Sequence, residues 1–376
     1  MRNAPRSGGD RGRRSASTRG RRVGLLVAAL VAISCALLPA SAQARGGPYR
    51  QTNLVSDLPG EAQVTDANLV NPWGMAAGPS TPLWVADNGA DVASLYSGGL
   101  KKTPISISSL VVGIPGGEPT GQVFNGTDGF VVHSGMSSGA ARFIFASESG
   151  NITGWNPGVP PPSPSTQAQP AVHTTDAVYK GLAIAATGGR TLLYATDFHH
   201  GRIDVFDSDF APTTLAGDFS DPSLPSGYGP FGIQAIGSNL LVTYAKQDAT
   251  AHDDVPGLGN GFVDVFNANG QLVRRLISNG VLDSPWGLTI APSGFGGFSH
   301  ALLVGNFGNG LIHAFDPRTG HLLGTLEGRH GPLQNDGLWA LRFGNGVTGD
   351  SRTLLFDAGL NDENDGLLGK IEMGNH

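Results

Sequence analysis

Cysteine, lysine and charge are scarce in this sequence. Of 376 residues, one is cysteine (Cys35), five are lysine, and Asp, Glu, Lys and Arg together make up 14%. No P-loop and no strand–GxGxxG–helix unit occurs, so the sequence signatures of nucleotide binding are missing. Glycine is abundant instead, with 57 residues. Each glycine costs a helix interior about 1 kcal/mol relative to alanine, so this density excludes a helical bundle. Disorder is excluded too, because 39% of residues are hydrophobic and recur in short β-branched and aromatic runs.

Residues 1–44 read as a separate object. Eight arginines between Arg2 and Arg22 form a basic start, Val23 to Leu38 is apolar, and Pro39-Ala40-Ser41-Ala42-Gln43-Ala44 offers small-residue cleavage sites. This order predicts a secretory signal peptide. The alternative is an uncleaved anchor, for which sixteen apolar residues are short. Arg21-Arg22 fits a twin-arginine route only loosely. Lipidation at Cys35 is not expected, because cleavage there would leave Ala36-Leu37-Leu38 behind. Without the segment, 16 Lys/Arg face 29 Asp/Glu, a net charge of −13. The expectation is a secreted or periplasmic monomer that binds neither nucleic acid nor, after cleavage, a membrane, since both demand clustered cations. Loss of Cys35 also leaves no disulfide, thiol nucleophile or cysteine metal site.

The remainder repeats. A short phrase recurs as Asn71-Pro72-Trp73-Gly74, Thr127-Asp128-Gly129-Phe130, Tyr179-Lys180-Gly181-Leu182, Gly229-Pro230-Phe231-Gly232, Ser284-Pro285-Trp286-Gly287 and Gly337-Leu338-Trp339-Ala340, at intervals of 55, 52, 51, 55 and 53 residues. Each opens a short apolar stretch. A continuous apolar run follows, such as Leu83 to Asp87 or Thr191 to Asp197, then a Gly-rich turn and a third run, such as Arg202 to Asp207. Six such units predict an all-β, six-bladed β-propeller over residues 45–376. The last unit has three strands, and Tyr49 to Val55 has no other home, so it is expected to supply the outer strand of the last blade and remove a free edge.

The units resemble NHL-type propeller repeats, most clearly at Asn71 to Ala76, Leu83 to Asn88 and Val92 to Tyr96. Tyr244-Ala245-Lys246-Gln247-Asp248, His252-Asp253-Asp254-Val255 and Gly259-Asn260-Gly261-Phe262-Val263-Asp264-Val265-Phe266 are similar to the hallmark of an uncharacterised family of exported bacterial propellers. The similarity spans residues 49 to 373. It implies the fold and export and carries no activity. Some relatives end in a hydrophobic sorting tail; this chain ends at Gly374-Asn375-His376, which implies a released protein.

In a propeller, the loops leading into first strands and those joining second to third strands share one face, where central sites are built. This places Asp128 and Asp336 in the first set, and Asp197, His199, His200, Asp248, His252, Asp253 and Asp254 in the second. Carboxylates on one face favour calcium or magnesium, with Asp128, His199 and His252 as candidate metal ligands. The alternatives are that Asp and Asn are turn formers and that the histidines are solvated. The run from Asn361 to Glu372 departs from an EF-hand at its first and third positions. The insert Gln247 to Asn260 is longer than a hairpin needs and reads as a binding loop or an acidic decoration; Pro157 to Pro170 reads as a polyproline spacer away from that face. Three functions stay open: a module binding an extracellular protein, glycan or small molecule at the acidic central face; a divalent-metal-dependent hydrolase or lyase at the central channel; and a structural surface protein. Lactonase-type propellers imply acidic and amide ligands before successive first strands. Asp128 suits that pattern, and the Pro-Trp-Gly, Pro-Phe-Gly and Tyr-Lys-Gly phrases do not.

Overall fold

The computed structural model describes residues 49–374. The signal sequence expected over residues 1–44, with Cys35, lies outside them. Six small blade sheets, antiparallel but for the short pairing of Val55–Ser56 with Val64–Thr65, follow one another along the chain, each meandering outward from a first strand at the ring centre, and two further two-stranded hairpins stand beside them. First strands are Pro72–Ala76, Pro119–Phe124, Tyr179–Thr187, Tyr228–Ile236, Pro285–Ile290 and Leu338–Phe343 in blades 1 to 6. Second strands such as Leu83–Asp87, Phe143–Ser147, Leu302–Asn306 and Leu354–Gly359 are buried at every position. A strand covered on both faces must read as an unbroken apolar run rather than an alternation, which is how these segments read.

The core is divided into apolar clusters between neighbouring blades. Trp84, Leu95 and Phe143 fill one such seam. Ile144, Ile152 and Leu193 fill the next, and Leu303, Phe356 and Ile371 another. The seam between the last and first blades, with Leu355, Leu368, Val85 and Tyr96, is built the same way. Tyr49–Ser56 pairs antiparallel with Asp365–Met373, from Tyr49 opposite Met373 to Ser56 opposite Leu367. The sixth blade therefore takes its outer strand from the other end of the chain, as its three-strand repeat predicts.

Glycine at the centre permits close approach of successive first strands. A Cβ on Gly121 would lie 2.3 Å from the Leu182 amide nitrogen, and one on Gly232 would lie 2.2 Å from the Trp286 carbonyl oxygen. The channel that remains is a cavity of about 40 Å³, room for little more than one water.

One repeat is displaced from its expected place. The phrase Thr127-Asp128-Gly129-Phe130 does not open the second blade; Glu118-Pro119-Thr120-Gly121 does. A hairpin, Val131–Ser134 with Ser137–Ala140, is inserted between the first and second strands of that blade. It pushes the second strand to Phe143 and lets a turn phrase mimic the spacing. Asp128 consequently lies beyond the far end of its first strand, opposite the face on which the other candidate residues gather.

Candidate functional site

The mouth of the channel on that face is closed by aromatic side chains. The residue just before the recurring glycine, or before Ala340 in blade 6, is Trp73, Phe231, Trp286 and Trp339 in blades 1, 4, 5 and 6. Trp73 and Trp339 stack at 3.7 Å, Phe307 stacks on Trp339 at 4.2 Å, and Trp286 meets Trp339 edge-on at 5.8 Å. At the same position blade 3 carries Lys180. Its side chain is 2% exposed, and its Nζ stands 5.0 Å over the Trp73 ring.

Lys180 is the hub of a polar network drawn from every blade. Its ammonium donates to Glu148 of blade 2 and, at 3.4 Å, to Asp253 of blade 4. Glu148 accepts from Asn88 Nδ2 at 3.1 Å, and Asn88 Oδ1 accepts from Asn71 Nδ2 at 3.2 Å. Asn71 Nδ2 also donates to Glu363 Oε2 at 2.7 Å, and Asn71 Oδ1 accepts from Trp339 Nε1 at 3.2 Å. Trp286 Nε1 donates to the Lys180 carbonyl at 3.0 Å. Burial alone would lower the Lys180 pKa; the Glu148 and Asp253 carboxylates outweigh it and hold the amine above its ordinary value. Lys180 is thus held as a cation by its two carboxylate partners.

The acidic groups around it respond in opposite directions. Burial raises Asp254 to about 6, against the charge of Lys180. Burial likewise raises Glu363, and burial and Glu148 raise Glu118. Burial would raise Asp253 as well, but Lys180 and His252 reverse its shift, and it lies below the usual range. His252 Nδ1 is 3.0 Å from Asp253 Oδ1. Among the described residues, Glu148, His252 and Asp253 can bring one ligand atom each within 4.8 Å of one another. Lys180 already sits on two of these carboxylates, so a divalent cation at that point requires the ammonium to move aside.

The candidate residues divide into three groups. His252, Asp253 and Asp254 are brought to the centre by the long insert of blade 4, which folds back so that Gln247 bridges Asp254. Asp197, His200 and Asp248 organise turns. Asp197 is fully buried and accepts from the Val178 and His200 amides and from Arg202, with His200 Nδ1 2.7 Å away. Asp248 accepts from the amides of Thr250 and His252 and from the Thr250 hydroxyl within its own loop. Asp128, His199 and Asp336 are exposed and stand outside the network. Asp128 is fully solvated, 3.7 Å from Arg142. His199 packs edge-on against His200, and Asp336 shares a rim pocket with Gln51 and Glu61. The metal set Asp128, His199 and His252 is therefore not assembled: the first is at the opposite end of the ring, and the second faces solvent on a turn held by Asp197. Lys180, Trp73 and Trp339 are the site residues that sequence reasoning missed; Glu363 belongs to the acidic run Asn361 to Asp365 that the sequence places on this face.

No protein-family profile matches the sequence. Two uncharacterised proteins of Acanthamoeba polyphaga mimivirus do. One is 34% identical over 324 residues, covering 85% of this chain and 78% of the relative. The other is 34% identical over 333 residues, covering 86% and 85%. These relatives are viral, whereas the sequence motifs resemble an exported bacterial family. Among solved structures, a Bacteroides thetaiotaomicron protein of unknown function superposes with a TM-score of 0.54 at 12% identity, over 86% of this chain and 76% of that one. It shares the fold. Streptogramin B lyase reaches a TM-score of 0.49 at 11% identity, over 87% of this chain and 98% of that one. By its identity to the two viral proteins along most of their length and its own, this six-bladed β-propeller chain belongs to the same protein family as they do.

Proposed function

We propose that the protein is an extracytoplasmic binding module, exported by the signal in residues 1–44 and acting as a monomer. Its ligand docks over Lys180 on the acidic central face. The observation that carries this reading is the burial of one lysine among carboxylates from three other blades. Polar groups converging at an aromatic-lined mouth are a costly arrangement for stability alone, and they suit a site that orients a ligand. Glu118, Glu148, Asp253, Asp254 and Glu363 outnumber the single cation, so the face favours a ligand rich in hydroxyl or amino groups, such as a neutral or amino glycan, and repels an acidic one.

A divalent-metal-dependent hydrolase or lyase is the second reading, supported by the Glu148, His252 and Asp253 cluster. The two are separated by titrating the wild type and Lys180→Met with immobilised neutral, amino and acidic glycans, and by melting both with calcium or EDTA. Binding of neutral or amino glycans that is lost in Lys180→Met supports the module. Identical glycan binding by the two proteins sinks it, and an EDTA-sensitive melt of the wild type turns the assignment to the metal reading.

A further inference from the structure

Cations are few in this molecule, with 15 Lys/Arg against 29 Asp/Glu over residues 49–374, yet four of them line one cavity. It has a volume of about 530 Å³ and is walled by Arg50, Lys101, Arg352 and Lys370, together with Asp350 and Glu372. It lies at the end of the ring opposite Lys180, beside the outer strands of blade 6. The chain order fixes that position. Lys101 follows the far end of the third strand of blade 1, and Arg352 precedes the second strand of blade 6.

The two carboxylates are already committed. Glu372 accepts from Lys370 Nζ at 2.9 Å and from Thr353 Oγ1 at 3.1 Å, and Arg50 stands 3.7 Å away. Asp350 Oδ1 accepts from the Arg352 amide at 2.8 Å, closing its own turn. Among the described residues, the Arg352 guanidinium and the Lys101 ammonium have no carboxylate within salt-bridge distance, and the cavity keeps a net charge of +2 from its six ionised groups. Its walls are tied together. The Gly98 amide donates to the Val347 carbonyl at 2.8 Å, and the Gly349 amide donates to the Gly98 carbonyl at 2.9 Å. Lys370, 8% exposed, also donates to the Gly99 carbonyl at 2.9 Å. A concave, preformed pocket with unpaired donors and a surplus of positive charge inside an acidic protein is an anion site.

We propose that this cavity binds a tetrahedral oxyanion, a phosphate or sulfate group, with Arg352 and Lys101 as its direct partners and Lys370 and Arg50 supporting them. A guanidinium fork matches two oxygens of such a group. Leu54, Leu100, Pro104 and Met373 give the lining an apolar part, and the volume exceeds what a free anion fills, so the group can arrive carried on a sugar-sized body. Four cations in one hollow flanked by two carboxylates do not make the extended basic surface that nucleic acid engages.

The test is calorimetric titration of the full chain at low salt with inorganic phosphate, inorganic sulfate and glucose 6-phosphate. Saturable binding by the wild type is expected, weakened about ten-fold or more, a loss of about 1.4 kcal/mol, in Arg352→Glu and in Lys101→Glu. Arg352→Lys keeps part of it, and Lys246→Glu, an exposed change elsewhere, leaves it intact. Tighter binding of the ester assigns a carried group; equal binding assigns the free anion. If Arg352→Glu does not fold, Lys101→Glu, in an exposed loop, decides the outcome. Absence of saturable binding of all three probes to the wild type, or equal weakening by Lys246→Glu, overturns the proposal.

Discussion

Replacing Lys180 by methionine should destabilise the ring strongly, and a second substitution should restore most of the loss. Lys180 Nζ is shared by Glu148, whose side chain is 11% exposed, and Asp253, which is 67% exposed. The Asp253 arm is close to a surface pair and contributes about 0–1 kcal/mol. The Glu148 arm is buried, and removing one member of a buried pair costs about 3–5 kcal/mol because the other charge is stranded. Methionine keeps the stem in contact with Trp73 but leaves Glu148 with the Asn88 amide alone. Adding Glu148→Gln removes the stranded charge while its amide oxygen still accepts from Asn88. The double variant should therefore lie within about 1–2 kcal/mol of the wild type. A chain of this size loses about 1.5 °C of Tm per kcal/mol at the usual entropy of about 2 cal/mol/K per residue. The single change should lower Tm by about 5–7 °C and the double by less than half of that. Because the folded pKa of Lys180 is raised, its contribution is complete below the unfolded value near 10.4 and lost only as pH rises past the folded one. The Lys180 ammonium itself should accordingly contribute no slope to the difference between wild type and Lys180→Met from pH 8 to 9 in calorimetry or chemical denaturation, while towards pH 6 the carboxylates it holds down, Asp254 among them, narrow the difference as they protonate. A single variant within about 1 kcal/mol of the wild type, or a double variant no better than the single, would refute the reasoning.

Other consequences are equally direct. Deleting residues 45–56 leaves the edge of Asp365–Met373 bare and removes the Tyr49 hydroxyl bond to the Phe295 carbonyl at 3.0 Å; the cooperative melting transition of the wild type should be lost, and an unchanged Tm would contradict the shared blade. Gly121→Ala, whose Cβ meets backbone atoms of its neighbour, should give insoluble protein, whereas Gly126→Ala, whose Cβ comes no nearer than 3.5 Å to the Phe124 ring, should stay soluble; solubility and circular dichroism separate them. His313 is buried, and burial lowers its pKa to about 4. The unfolded chain therefore binds the extra proton first, and stability falls as pH drops from about 6.5 towards 4, by up to about 3 kcal/mol. His313→Leu should flatten that part of the stability–pH curve measured by urea unfolding.

The architecture was legible because burial on two faces imposes unbroken apolar strands and because the crowded centre imposes glycine at a regular interval. The second blade was misread for a physical reason: its inserted hairpin lengthens one connection, and Glu118-Pro119-Thr120-Gly121 has no aromatic residue to announce it. The same phrases held the signal for the site. At the position where four blades carry Trp73, Phe231, Trp286 and Trp339, the third carries Lys180, and a lysine among aromatic residues at a buried position needs a carboxylate partner. What sequence could not supply was the partner's identity. Glu148 and Asp253 come from turns of the two flanking blades, far from Lys180 in sequence, and Glu363 comes from the sixth blade, which only closure of the ring brings to the centre. Asp197 and Asp248 misled because the residue types that cap turns are also those that bind metals.

The outer strand of the sixth blade has a consequence in time as well as in space. Tyr49–Ser56 is among the first of the propeller segments to be synthesised, and its partner Asp365–Met373 is the last. Contacts of such long sequence separation form late and slowly. Until about three hundred further residues have emerged, the early strand has no sheet to join and the first blade lacks one of its two neighbours. Folding of this protein is therefore gated by completion of the chain, and a truncated product, however many finished blades it holds, carries an unsatisfied strand at each end.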